Sequence, residues 1–334
     1  MNFNKNTDTF RARRITNAAE VLKVLDSPRC SFYELMDCVR VAKQENNWAL
    51  RHRSAERMFS LATQSIKYKD VESAAIELVK SSVRIATDLD DLKPSLNKIK
   101  SRFEAWTPTT PTTRTIRVQQ IEEINQILLL MNDDQVNSQI RLSSKLRRLD
   151  RPDLSVVVAQ RAVTKEPKNC AGLITFAAGL ADLNQLISAM RNVDKALQLN
   201  PRDHVALVEA SRIKQLLGKW KESLHYAKNA FAIEINKFTV YRLLAAAAKA
   251  EDRAAFMEAQ QLVREGLEKF KNADPWYLLL AIQVLIEVGR LVEAEAALDD
   301  IENTSEIEHL KPQVSKLKRE LKIAVKEQQQ ELFN

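Results

Sequence analysis

Turn-forming residues are scarce in this chain of 334 residues, which contains five Gly and nine Pro. This scarcity, together with abundant Ala, Leu, Lys, Glu and Gln, favours helices joined by short loops. The three cysteines, Cys30, Cys38 and Cys170, are an odd number without paired spacing, which indicates neither a disulfide framework nor a zinc site. A reducing compartment is the simplest expectation, so we predict a cytoplasmic protein.

Signatures of catalysis and of membrane insertion are also missing. No two glycines have the spacing of a phosphate-binding loop, and the scattered histidines lack partners for a metal site. We therefore predict no catalytic residue, no metal and no cofactor, and a protein that is not an enzyme. The polar stretch from Met1 to Asp8 lacks the apolar core of a signal peptide, and no run reaches the ~18 apolar residues of a membrane span. We expect no membrane association.

Small residues recur at a nearly fixed distance in the second half of the chain. Their successive spacings are 34, 34, 36 and 35 residues, and the positions are Ser155, Ala189, Ser223, Ala259 and Ala294. Each unit contains two amphipathic segments with apolar residues at helical spacing, as two antiparallel helices that bury a shared face require. Such a period is typical of one supersecondary unit repeated as an array.

The repeat pattern resembles the tetratricopeptide repeat family, whose 34-residue unit has bulky and small residues in its first helix and a small residue followed by a Pro in its second. The resemblance covers residues about 136–308 and leaves the N-terminal third unrecognised. The matching residues are Leu142, Ser143, Ser155, Ala159 and Pro167; Leu173, Phe176, Ala177, Ala189 and Pro201; Leu207, Ser211, Gly218 and Ser223; Tyr241, Ala245 and Ala259; and Leu278, Gly289 and Ala294.

The resemblance implies an all-α fold, a right-handed α-solenoid of about five helical hairpins. We predict a helical bundle over residues 1–106, an extended linker over 107–115 because of its Thr-Pro-Thr-Thr-Pro-Thr-Thr-Arg-Thr sequence, and the repeat array over 116–309. Residues 310–334 form a basic helix that caps the array. A coiled-coil or partner-helix seam is the alternative for this last helix.

The family resemblance implies a noncatalytic interaction scaffold that binds a peptide or protein in the groove lined by the first helix of each unit. We expect a basic groove with an apolar floor, suited to a partner with acidic and hydrophobic residues. Solvated arginines, or arginines paired with acids such as Glu209, are the alternative. The predicted groove residues are Arg141, Ser144, Arg147, Arg212, Gln215, Arg242, Lys249 and Gln283.

Basic residues near the N-terminus leave a second function open, that of a nucleic-acid-associated subunit. They occur at the start of the first and third predicted helices, where a recognition helix would present its first turns to bases; the residues are Arg11, Arg13, Arg14, Arg51, Arg53 and Arg57. A solvated face is the explanation that we favour for them. An accessory subunit of a separate enzyme is the third hypothesis.

Charge is distributed unevenly along the chain, whose net charge is +7. Residues 136–169 contain 8 basic and 3 acidic side chains, whereas residues 283–309 contain one Arg and eight acids. Opposite charge at separate places could steer a charged partner or favour self-association, although charges on helical repeats commonly mark solvated faces.

Overall fold

The computed structural model describes residues 15–64, 68–249, 253–268, 276–302 and 311–332. These residues form 17 α-helices and contain no β-strand, which confirms the predicted all-α class. The helices are α1 Ala18–Asp26, α2 Phe32–Gln44, α3 Trp48–Ala62, α4 Tyr68–Ile85, α5 Leu89–Ala105, α6 Pro111–Met131, α7 Val136–Arg148, α8 Pro152–Lys165, α9 Cys170–Asp182, α10 Leu186–Leu199, α11 His204–Leu216, α12 Trp220–Ile233, α13 Lys237–Lys249, α14 Arg253–Glu268, α15 Trp276–Glu287, α16 Leu291–Glu302 and α17 Lys311–Leu332. None of these helices is both long and apolar enough to cross a membrane.

The chain forms two compact units, Met1–Ala162 and Val163–Asn334. In the first unit, one apolar core runs from Val21 on α1 through Leu78 on α4 and Ile124 on α6 to Leu146 on α7. The first predicted repeat, α7 with most of α8, therefore shares its core with the N-terminal helices. This division falls later in the chain than the predicted border at residues 107–115.

The second unit contains the other four predicted hairpins, α9–α10, α11–α12, α13–α14 and α15–α16. Its cores consist mainly of Ala, Leu and Val, and the repeated small residues lie inside them, with Ala189, Ser223 and Ala259 all fully buried. Small side chains at these positions let the two helices of each hairpin approach closely, since larger groups would overpack the contact. The spacing of small residues in the sequence thus identified the helix contacts correctly.

A left-handed residue turns the chain between the two helices in each of the four repeat hairpins whose connecting residues the structure describes. Asp150, Asn184, Gly218 and Gly289 have φ of 60°, 60°, 71° and 81°. The backbone N–H of the following residue bonds to a carbonyl in the last turn of the first helix, for example Gln185 to Leu180 at 2.9 Å. This is the Schellman ending of a helix.

The same turn occurs once in the N-terminal region. Asn46 has φ of 53°, and the Asn47 N–H bonds to the Ala42 carbonyl at 2.9 Å. Helices α2 and α3 are thus joined by the same kind of turn, and Arg51 on α3 holds the position that Ser155 and Ser223 hold in their own hairpins. A capping box begins α2, because Ser31 Oγ accepts from the Glu34 N–H and the Glu34 carboxylate accepts from the Ser31 N–H.

The expected extended linker over residues 107–115 is wrong in its second half. Pro111 occupies the first turn of α6, and the side chain of Thr110 caps the helix by accepting from the Thr113 N–H at 3.2 Å. Proline suits this position because its missing N–H has no helical partner there and its φ is already helical. The side chain of Thr113 is 4% exposed, so this stretch packs into the first unit as helix.

Candidate interaction surface

The first helices of the hairpins in the second unit pack side by side. Helix α11 contacts α9 and α13, and α13 contacts α15. We call the side chains that α9, α11, α13 and α15 present together the first-helix surface. One polar side chain bridges each neighbouring pair of helices, and three of the eight predicted groove residues, Arg212, Gln215 and Arg242, take part in these bridges.

The guanidinium of Arg212 on α11 hydrogen-bonds to two carboxylates and one backbone carbonyl. Its Nε donates to Glu209 Oε1 at 3.0 Å, its Nη1 to Asp182 Oδ1 at 2.8 Å and its Nη2 to the Ala178 carbonyl at 3.1 Å. Burial alone would lower the pKa of Arg212, but the hydrogen bonds and charges of Glu209 and Asp182 raise it above its usual value. Its charge is thus compensated by two carboxylates, as the alternative prediction of pairing with Glu209 foresaw, and its role is to join α11 to α9.

Arg242 on α13 differs from Arg212 because no described carboxylate pairs with it. Its Nη1 donates to Gln215 Oε1 at 2.8 Å, and its guanidinium carbon lies 5.7 Å from the centre of the Tyr241 ring. The buried Nε has no hydrogen-bond partner among the described residues. Burial lowers the pKa of Arg242, as expected for a cation moved away from water without a contacting anion.

Tyr241 and Gln283 converge on one carboxylate at the junction of α13 and α15. The Tyr241 hydroxyl donates to Glu287 Oε2 at 2.7 Å, and Gln283 Nε2 donates to Glu287 Oε1 at 3.0 Å. Burial and the bond to Glu287 raise the pKa of Tyr241 to about 12, so the phenol remains a donor. Lys249, also predicted to line the groove, is partly exposed at the end of α13.

The remaining predicted groove residues, Arg141, Ser144 and Arg147, lie on α7 in the first unit. Arg141 is exposed, whereas the other two are partly buried. The Ser144 hydroxyl donates to the Ile140 carbonyl at 3.1 Å, within its own helix. Their contribution to a groove stays a prediction.

The sequence reading missed Tyr241 and Glu287 as site residues, and also two exposed apolar side chains. Phe238 is 75% exposed at the start of α13, and Val205 is 48% exposed at the start of α11. Phe238 precedes Arg242 by four residues and therefore lies on the same helix face. Helical phase relative to Arg242 was the signal that could have identified it.

The proposed nucleic-acid contact is wrong for Arg51. This side chain is 1% exposed, and its Nε lies 2.5 Å from Glu77 Oε1. Arg57 donates to the carbonyls of Leu25 and Ser27, so its guanidinium holds α3 to the end of α1. Arg53 is exposed beside Asp26.

Arg11, Arg13 and Arg14 lie outside the described residues. A nucleic-acid role for them and for Arg53 remains a prediction. Within the described residues, no group of three or more His, Cys, Asp or Glu side chains could hold a metal ion.

Comparisons with known proteins give similarity in structure alone. No family model matches the chain, and no curated protein matches it. A tetratricopeptide repeat protein of Thermus thermophilus, TTC0263, is 17% identical, with 55% of this chain and 98% of that protein covered and a TM-score of 0.40. One of Parabacteroides merdae is 10% identical, with 88% and 98% covered and a TM-score of 0.41. YrrB, described as a tetratricopeptide repeat protein with an unusual peptide-binding site, is 13% identical, with 72% and 97% covered and a TM-score of 0.30.

Proposed function

We propose that the protein is a noncatalytic interaction scaffold whose first-helix surface binds an extended peptide or protein segment with acidic and hydrophobic residues. The observation that carries this proposal is the hydrogen bonding of Arg242. This side chain is a partly buried cation with one neutral partner, Gln215, and an Nε without a partner among the described residues. Arg212, thirty residues earlier on the neighbouring helix, shows that this fold can compensate an arginine fully where it needs one only for structure.

A carboxylate from a partner would offset the cost of holding the Arg242 charge away from water. Charge-assisted hydrogen bonds to guanidinium are among the stronger polar contacts, and arginine offers a planar set of donors. Phe238, one turn away on the same face, provides an exposed ring for an apolar side chain of the same segment. The spacing suits a partner in which an acidic residue lies close to a large apolar one.

Selection from a random peptide library displayed on phage tests the proposal with the full chain as bait. We expect enriched peptides to carry Asp or Glu next to an aromatic or aliphatic residue. The Arg242→Gln variant should bind a synthesised winner at least about tenfold more weakly, the loss of about 1.4 kcal/mol that one charged contact supplies. Phe238→Ser should weaken binding of the same peptide.

Arg191→Gln is the matched control, since Arg191 is an exposed arginine on α10, a second helix of its hairpin. It should bind like the unmodified chain. Enriched peptides without acidic residues, or equal affinity for the Arg242→Gln and Arg191→Gln variants, would refute the role of Arg242. Circular dichroism and thermal melting of each variant verify that the fold is intact.

A further inference from the structure

Helix α16 presents an acidic face with one large apolar side chain to solvent. Leu291, Ala294 and Leu298 turn inward to the core of the second unit. The exposed stripe occupies positions i, i+3, i+4 and i+7, and its members are Val292, Glu295, Ala296 and Asp299. Val292 is 82% exposed and lies one turn before Glu295 on the same face, so this face combines negative charge with one aliphatic side chain.

Helix α17 presents the opposite combination. Val314, Leu317 and Leu321 pack into the core against which α15 and α16 also pack. The exposed side chains of α17 include a basic stripe around one aliphatic residue, formed by Lys316, Arg319, Lys322, Ile323 and Lys326, of which Lys316 also pairs with Glu320 at 3.4 Å. Ile323 is 56% exposed.

We propose that a second copy of this chain covers these faces, with α17 of each protomer docked on α16 of the other. The two faces are complementary in charge, and each has an aliphatic residue that the other could cover. Both occur on adjacent helices of one unit, so the reciprocal contact closes a two-fold dimer in which the same patch serves both subunits.

A two-fold arrangement is favoured over a single helix pair because it buries a larger interface area. Stable interfaces bury roughly 1,200–2,000 Å² in total, which one pair of short helix faces hardly reaches. Reciprocal docking doubles the contact and brings the two stripes of opposite charge together twice. An unrelated acidic partner or a nucleic acid on α17 would leave the acidic α16 stripe and Val292 uncovered.

Sedimentation velocity and light scattering on the full chain test the proposal over a range of concentrations. We expect a monomer–dimer equilibrium that weakens as salt screens the charges. Two charge-reversed variants, Glu295→Lys with Asp299→Lys and Arg319→Glu with Lys326→Glu, should each raise the dissociation constant by about tenfold or more, since like charges then face each other.

Mixing the two reversed variants gives the decisive measurement. The basic α16 of one then faces the acidic α17 of the other, so a heterodimer should form at concentrations at which neither variant alone is dimeric. Arg191→Glu with Lys195→Glu, on the exposed side of α10, is the matched control for a change of charge and should dimerise like the unmodified chain. Val292→Ser should also weaken the dimer.

A chain that stays monomeric at about 200 μM, well above the micromolar range of standard interfaces, would overturn the proposal. Failure of the mixed variants to associate would overturn the pairing of α16 with α17. Oligomers that grow beyond a dimer would overturn the closed two-fold arrangement. The variant positions are exposed, and unchanged melting temperatures will show that each variant is folded.

Discussion

The buried charges of the first unit allow a sharp test of the structure through Glu77→Gln. The Glu77 carboxylate lies 2.5 Å from Arg51 Nε and 3.0 Å from Lys43 Nζ. Arg51 is 1% exposed, and its Nη2 already lacks a hydrogen-bond partner among the described residues. The substitution keeps the shape of the side chain and removes its charge, so it takes away the closest anion of the buried Arg51 guanidinium.

Removing one partner of a buried ion pair costs about 3–5 kcal/mol. Unfolding free energies of domains are about 5–15 kcal/mol, so this loss is a large share of the total. For a cooperative unit the size of Met1–Ala162, each kcal/mol lowers the melting temperature by about 2–4 °C. The first unit should therefore melt roughly 6–20 °C lower in Glu77→Gln.

Scanning calorimetry and urea unfolding followed by circular dichroism measure the effect. Asp26→Asn is the matched control, because Asp26 pairs with Arg53 and both side chains are more than half exposed, at 66% and 55%. An exposed pair contributes ~0–1 kcal/mol. Arg51→Met combined with Glu77→Leu should recover most of the loss, since apolar replacement of a whole buried pair is often neutral. Equal effects of Glu77→Gln and Asp26→Asn would refute the burial of Arg51.

Two further predictions concern buried groups. Cys38 is fully buried, and burial, with smaller contributions from neighbouring thiol and carboxyl groups, raises the pKa of its thiol to about 12. In folded protein at about pH 8, near the usual thiol pKa, Cys38 should therefore resist alkylation by iodoacetamide, whereas the partly exposed Cys30 and Cys170 should react. Mass spectrometry detects the alkylated residues. Ser223→Ala should cost about 1–3 kcal/mol, because Ser211 Oγ would lose its buried partner at 3.1 Å; adding Ser211→Ala should restore part of this in urea unfolding, since the preceding hairpin has Ala177 and Ala189 at those positions.

The repeat array was predictable because its signal is local and periodic. Helix phase and small residues at fixed spacing were enough to place Ala189 and Ser223 at helix contacts. The stretch before α6 was mispredicted because prolines were read only as helix breakers. Pro111 begins a helix here, and the difference depends on Thr110 serving as its cap, which the Thr-Pro pattern of the stretch obscured.

Arg51 was mispredicted because a cluster of charges in sequence was treated as one surface. Helical phase separates its members: Arg51 shares a stripe with Ala55, Met58 and Ala62, all buried, whereas Arg53 points to the exposed side. Even so, its burial depends on Glu77, a long-range partner on α4. Whether Arg242 has a carboxylate partner likewise depends on which acidic residues the neighbouring helices supply, and no pattern within one repeat contains that information.

The final prediction concerns the turns between hairpin helices. The free-energy cost of their left-handed backbone conformation can be measured separately from side-chain packing. Gly218 has φ of 71°, and a Cβ added there would meet no atom within 4 Å. Gly218→Ala should therefore destabilise by about 1 kcal/mol through backbone conformation alone. Asn184 occupies the same turn one repeat earlier, at φ of 60°, so Asn184→Gly should stabilise by a few tenths of a kcal/mol up to about 1. Gly172→Ala is the control within a helix, where alanine is favoured, although its Cβ would touch Val163 at 3.6 Å. Urea unfolding of the three variants gives the answer, and a loss in Asn184→Gly together with no loss in Gly218→Ala would show that the left-handed turns do not form.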